Sequence, residues 1–177
     1  MPLISPPTTI ITSHLGRQNT VQQIRETVAE TGIQWIQLHG HEGWDILDNL
    51  QLPVIKAIPH TQLESYGGLK LEWGSRGASQ REASTANPRY FLVDTQAGSA
   101  FGGTGQSFDW DELHQHKLPR PFFLAGGLGP ENIGEALKQT HPYAVDLNSR
   151  VEISPGIKNL ERVKDCMEKI RGHQQTD

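Results

Sequence analysis

The residues best suited to chemistry sit where short apolar runs end in glycines, a carboxylate or a hydroxyl. Phe91-Leu-Val-Asp94 is followed by Gly102-Gly103-Thr104-Gly105, and later come Leu124-Ala-Gly126-Gly127-Leu128 and Asp146-Leu-Asn148-Ser149-Arg150-Val-Glu152. Glycines leave backbone N–H groups unhindered. Near a helix start such amides offer several donors and a partial positive field to a dianion such as phosphate. Asp94 adds an acid at a strand end, where partial desolvation can raise a carboxyl pKa far enough for proton donation. The bland alternatives are a loop-fixing or helix-capping role for Asp94 and ordinary tight-turn chemistry for the glycines.

Composition narrows the partners. The 177 residues fit one domain, 1–177, and 35% hydrophobic content suffices for a lean core. A net charge of −4, with no cluster of Lys and Arg, argues against nucleic acid and against an anionic membrane surface. Met1-Pro-Leu-Ile-Ser-Pro-Pro7 has no basic segment leading into an apolar one, and nowhere is there a run of the ~18 apolar residues that span a bilayer. A cytoplasmic location is expected. Cys166 is the only cysteine and lies in an apolar helical stripe, which predicts packing rather than a disulfide or a cysteine zinc site. His39 and His41 point the same way from an extended segment, whereas His114 and His116, two apart on a helix, do not share a face. Neither pair makes a metal site by itself, so no metal and no cofactor are expected.

The elements that must position these groups alternate between β-branched runs and helical patterns, which implies crossovers and a parallel sheet. Strands are expected at 8–13, 33–38, 53–58, 90–93, 121–125 and 143–147. Asn19 or Thr20 caps a first helix with Val21, Ile24 and Val28 on one face, and Gly32 stops it. A short helix is expected over 43–50, and another after Ser107 with Trp110 and Leu113. A third begins at Gly129-Pro130, with proline in its first turn and Ile133, Ala136 and Leu137 following. The last helix carries Leu160, Val163, Met167 and Ile170 on one stripe. The polar tract 74–87 reads as a mobile loop.

Taken together, Gln37-Leu-His-Gly-His-Glu42, Ile55-Lys-Ala57, Leu92-Val-Asp94, Gly102-Gly-Thr-Gly105-Gln-Ser-Phe-Asp-Trp110, Ala125-Gly-Gly-Leu-Gly-Pro-Glu-Asn132 and the stretch 146–158 resemble the phosphoribosylanthranilate isomerase family of tryptophan biosynthesis. The resemblance implies a (β/α) barrel and an Amadori rearrangement, in which a phosphoribosyl amine opens and isomerises to an aminodeoxyketose. In that family a carboxylic acid protonates the ring oxygen and a cysteine removes the C2′ proton. The acid's position matches Asp94. Phosphate recognition carries over to Gly102, Gly103, Thr104, Gly105, Gly126, Gly127, Asn148 and Ser149.

The departures are equally specific. The family's first strand carries its catalytic cysteine in a Lys-Ile-Cys-Gly type motif, and the next supplies an arginine for the substrate's carboxylate; neither motif occurs here. The first recognisable strand resembles the family's third, so about six strands of an incomplete TIM-type barrel are expected. His39, at the end of a strand and able to titrate near neutrality, is the nearest substitute for the base. Where the family has Ser-Gly, this chain has Ser149-Arg150; the arginine can obstruct the backbone approach, add a bidentate contact to phosphate, or point to solvent. Strands shaped for a larger closure leave edges, which a homodimer, contraction to a smaller barrel, or a separate partner chain could cover. A phosphorylated small molecule is the expected ligand, and a non-catalytic ligand- or partner-binding relative is the competing reading.

Overall fold

A computed structural model describes residues 10–12, 20–39, 49–50, 52–64, 88–94, 110, 113, 115–116, 118 and 120–174. The expected helices over 43–50 and after Ser107 fall largely outside those residues, and the loops 74–87 and 102–105 wholly so. The main sheet takes its strands in chain order: β1 (Ile10–Thr12), β2 (Trp35–Leu38), β3 (Val54–Pro59), β4 (Tyr90–Asp94), β5 (Phe122–Ala125) and β6 (Ala144–Val145). Registers for β1–β2, β2–β3 and β5–β6 are parallel, as the alternation of runs requires. The chain divides into two compact units, Met1–Ala57 with Leu71–Phe91, and Ile58–Lys70 with Leu92–Asp177.

In the first unit, helix α1 (Val21–Thr31) opens with a capping box. Thr20 Oγ1 accepts from the Gln23 N–H, and Gln23 Oε1 accepts from the Thr20 N–H, so two donors that helix geometry leaves orphaned are satisfied reciprocally. The helix stops at Gly32, whose φ of 68° is the left-handed conformation that glycine adopts without a Cβ clash, and the Gly32 N–H closes on the Val28 carbonyl. Ile24 is buried with Ile36, Leu38, Leu50 and Val54, while Val21, Val28 and Leu52 flank the cluster. Strand β2 starts at Trp35, two residues later than its apolar run, where its register with β1 begins opposite Ile10.

In the second unit, helix α2 (Ile133–Thr140) packs on helix α3 (Leu160–Gln174). Ile133, Leu137, Val151 and Cys166 form the buried cluster, with Val145, Leu147, Val163 and Ile170 against it. Three expectations are corrected here. Pro130 stands in a turn before α2 rather than at its first position, because the Asn132 side chain is engaged with the preceding loop. Strand β6 keeps only Ala144–Val145 of the expected 143–147, although Tyr143 and Asp146 extend its bonding to the Phe122 and Leu124 carbonyls. On α3 the buried stripe is Val163, Cys166 and Ile170; Leu160 is 72% exposed and Met167 38%, since α2 and Val151 meet the helix on the Cys166 side. A hairpin, β7 (Glu152–Ser154) and β8 (Ile157–Lys158), turns at Gly156 with φ 82° and was not marked by any apolar alternation.

Cys166 is fully buried. Burial, followed by the charge of Glu131, pushes its thiol pKa above the usual value. A thiol reagent is therefore expected to label Cys166 at the rate of unfolding; fast labelling of the native protein would contradict its burial.

Candidate functional site

The second unit carries most of the candidate residues. Asp94 closes β4 and is half-buried. Strand β5 ends at Ala125, and the chain turns at once through Gly126 (φ 84°) and Gly127 (φ 59°), angles that a residue with a Cβ adopts only under strain. Because Leu124 pairs in parallel with Val145, the C-terminal ends of β5 and β6 lie at one rim. Gly126–Gly127 leave the sheet from one strand and Asp146–Asn148 from its neighbour, with the Asp146 N–H donating to the Leu124 carbonyl at 2.8 Å. Convergence of strand ends on one rim is how (β/α) architectures gather a ligand site.

Side chains fix both departures from the sheet. Asn132 Oδ1 accepts from the Gly129 N–H and Nδ2 donates to the Gly127 carbonyl, each at 2.9 Å. The β5–α2 loop is thereby held across three residues. Opposite it, Lys158 Nζ donates to the Asn148 carbonyl (3.1 Å), to Asn148 Oδ1 (2.9 Å) and to Glu152 Oε1 (2.9 Å). That last bond, ahead of every other influence, holds the Glu152 carboxyl below the ordinary carboxylate range. With both Asn148 oxygens turned to Lys158, its Nδ2 is the side-chain group able to donate to a ligand.

Ser149 and Arg150 follow in a single 3₁₀ turn, Ser149–Val151; Ser149 is exposed and Arg150 half-buried. The stem of Arg150 lies along the neighbouring loop, so close that a Cβ added to Gly129 would stand 3.0 Å from Arg150 Cβ and 3.3 Å from its Cδ. The Arg150 carbonyl accepts from Arg162 Nε at 2.6 Å.

The structure thus brings together Gly126, Gly127, Asn148, Ser149 and Arg150. His39 belongs to the first unit, just beyond β2, half-buried beside Gln37, which is 5% exposed. Gln37 Nε2 and His39 Nε2 are hydrogen-bond partners. Gly102, Gly103, Thr104, Gly105, His41 and His114 lie outside the described residues. Among the described residues no three His, Cys, Asp or Glu side chains gather where they could hold a metal, and no helix is long and apolar enough to cross a membrane. Sequence reasoning missed Asn132, Lys158 and Arg162, the residues that brace the rim. Asn132 alone left a signal, three residues after Gly129 at a helix start.

Parallel strands with helical crossovers, and neighbouring strand ends gathered at one rim, define a protein of the (β/α) barrel class. Residues 14–169 match the family model for N-(5′-phosphoribosyl)anthranilate isomerase. The isomerase of that name from Petrotoga mobilis is 39% identical over 155 residues, covering 86% of this chain and 68% of the relative. The crystal structure of phosphoribosyl anthranilate isomerase from Thermotoga maritima superposes with a TM-score of 0.65 at 25% identity, over 89% of this chain and 71% of that one. Another isomerase structure, holding reduced 1-(o-carboxyphenylamino)-1-deoxyribulose 5-phosphate, shares the fold with a TM-score of 0.60 at 23% identity, over 89% of this chain and 69% of that one. The chain belongs to the N-(5′-phosphoribosyl)anthranilate isomerase family, and its fold is that family's barrel, incomplete, with six strands in the main sheet among the described residues.

Proposed function

We propose that the chain, read as one barrel-family domain, binds a phosphoribosyl amine by its phosphate and acts as an isomerase of the Amadori type with Asp94 as general acid. The observation that carries this is the paired departure of Gly126–Gly127 and Asn148–Ser149 from adjacent parallel strands, in a chain whose relatives bear the isomerase name. Amides at Gly126, Gly127 and Ser149, the Ser149 hydroxyl and Asn148 Nδ2 would receive the phosphate. Arg150 is assigned a charge-assisted contact there, its stem being laid along the β5–α2 loop.

In the reaction, Asp94 would donate its proton to the ring oxygen as the bond from that oxygen to C1′ breaks, leaving an iminium. Loss of the C2′ proton then gives an enamine, which ketonises. The second step needs a base. The chain's one cysteine is buried in the core between α2 and α3 and cannot supply it, so slow turnover is the consequence. The burial of Cys166 equally favours a second reading, a non-catalytic relative that keeps the phosphate end. Both readings place the protein in the cytoplasm, with a second copy or a partner chain covering the sheet edge.

Titration with inorganic phosphate tests what the two share. Gly127→Val puts a β-branched side chain at φ 59° and over the amide, and is expected to weaken phosphate binding on the order of 10–100-fold, the worth of one hydrogen bond to a charged group. Equal affinity in the two proteins would remove Gly127 from the site. Conversion of phosphoribosylanthranilate by the wild type then separates the readings, since the non-catalytic relative gives none.

A further inference from the structure

We propose that Arg162 is a positioning residue for the anion site, one guanidinium setting the distance between the two loops that present the amides; this rests on the phosphate reading of those loops. Its Nε–H donates to the Arg150 carbonyl in the turn after β6, and its terminal nitrogen donates to Glu131 Oε1 in the β5–α2 loop, both at 2.6 Å. Both acceptors are far from Arg162 in the chain and belong to different loops, so the two bonds tie the loops through a third element.

The tie starts from a fixed point. Arg162 lies in the first turn of α3, where Asn159 Oδ1 accepts from the backbone N–H groups of Glu161 (3.0 Å) and Arg162 (3.2 Å). Two turns on, Lys169 Nζ donates to the Pro130 carbonyl at 2.5 Å, a second hold of the same helix on the same loop. There is no slack where the loops meet: a Cβ on Gly129 would stand 3.0 Å from Arg150 Cβ and 3.0 Å from Glu131 Oε2. Loosening one partner therefore moves Arg150, whose carbonyl and stem are held by opposite sides of the clasp.

Arginine suits the task for a geometric reason. Its planar fork presents N–H groups at fixed angles and so serves two acceptors at once, whereas a lysine ammonium at the same site reaches one or the other. Stability does not account for the arrangement. The Arg162 and Glu131 side chains are 35% and 54% exposed, and pairs that open to water contribute little to folding. What the clasp contributes is spacing. The Glu131 carboxyl, held below its ordinary range first by its own backbone amide and then by Arg162, stays charged at neutral pH and keeps the clasp closed.

The test uses the full chain as wild type, Arg162→Met, Arg162→Lys and Glu131→Gln, with inorganic phosphate as the probe. It reads phosphate affinity, amide hydrogen exchange at Gly126, Gly127 and Ser149, and the thermal midpoint. Arg162→Met is expected to weaken phosphate binding roughly tenfold, the lower end of what loss of an outer contact costs a metal site, and to speed exchange in both loops together. The midpoint stays nearly unchanged. Arg162→Lys should fall between, and serves along with Glu131→Gln if the methionine variant does not fold. A wild type that binds phosphate, with Arg162→Met binding equally well at unaltered exchange, overturns this proposal alone. A wild type that binds no phosphate overturns the phosphate reading, and the proposal with it.

Discussion

Asp94→Asn is expected to lower the conversion of phosphoribosylanthranilate by ~10²–10⁴-fold, the usual worth of a positioned general acid, while leaving the affinity for inorganic phosphate unchanged. The carboxamide keeps the shape of the side chain at the end of β4 and cannot give up a proton to the departing ring oxygen. Asp94 is half-buried there, and the isosteric amide leaves its packing in place. The split between rate and phosphate binding is the informative part. A fall in both together would mean that Asp94 braces the rim, and equal rates in the two proteins would remove it from the reaction. An assay of product formation, run beside a phosphate titration of the same preparations, decides among these outcomes.

Ile133→Ala is expected to destabilise the fold by ~2–5 kcal/mol, since it deletes a large aliphatic group from a position with no exposure and leaves a cavity that neighbours fill only in part. Ile133 begins α2 and touches the cluster of Leu137, Val151 and Cys166, which joins α2 to α3 and to the turn after β6. The loss is therefore expected to reach the proposed anion site as well as the core. Met167→Ala, on the 38% exposed side of α3, is the contrast, with an effect within about ±0.5 kcal/mol as for surface positions. Denaturant midpoints of the two variants measure the difference. Similar values would mean that the α2–α3 contact is not the structural spine of this unit.

Local chemistry explains why so many elements could be read directly. The capping pair Thr20–Gln23 and the left-handed Gly32 bracket α1 because each satisfies orphaned backbone groups using residues within four positions of the helix end. The strands were legible for a related reason: apolar runs such as Phe91–Val93 are long enough to be buried on both faces and too short to be helices. Boundaries failed where a distant partner set them. Strand β2 waits for its partner Ile10 in β1, and Asn132 draws the residues before α2 into a turn. Hairpin β7–β8 failed differently: it is held by its own register and by Lys158, and its isoleucines, Ile153 and Ile157, are exposed rather than alternating against a core.

The same division runs through the candidate site. Asp94, Gly126, Gly127, Asn148 and Ser149 announce themselves by type and spacing, because amides without a side chain and an acid at a strand end are chemically scarce and tied to short motifs. The amino-acid sequence by itself determined the α/β class, the family resemblance and the absence of a cysteine at a strand end, and it singled out the residues proposed to meet phosphate. Only the tertiary structure decided that Arg150 lies along Gly129, that Arg162 joins Arg150 to Glu131, and that Met167 stands outside the core that Cys166 enters. The physical reason is range. Backbone caps and turn angles are set by neighbours a few residues away, whereas Arg162 and Glu131, 31 positions apart, meet only because parallel strands and their crossover helices fold the chain back on itself.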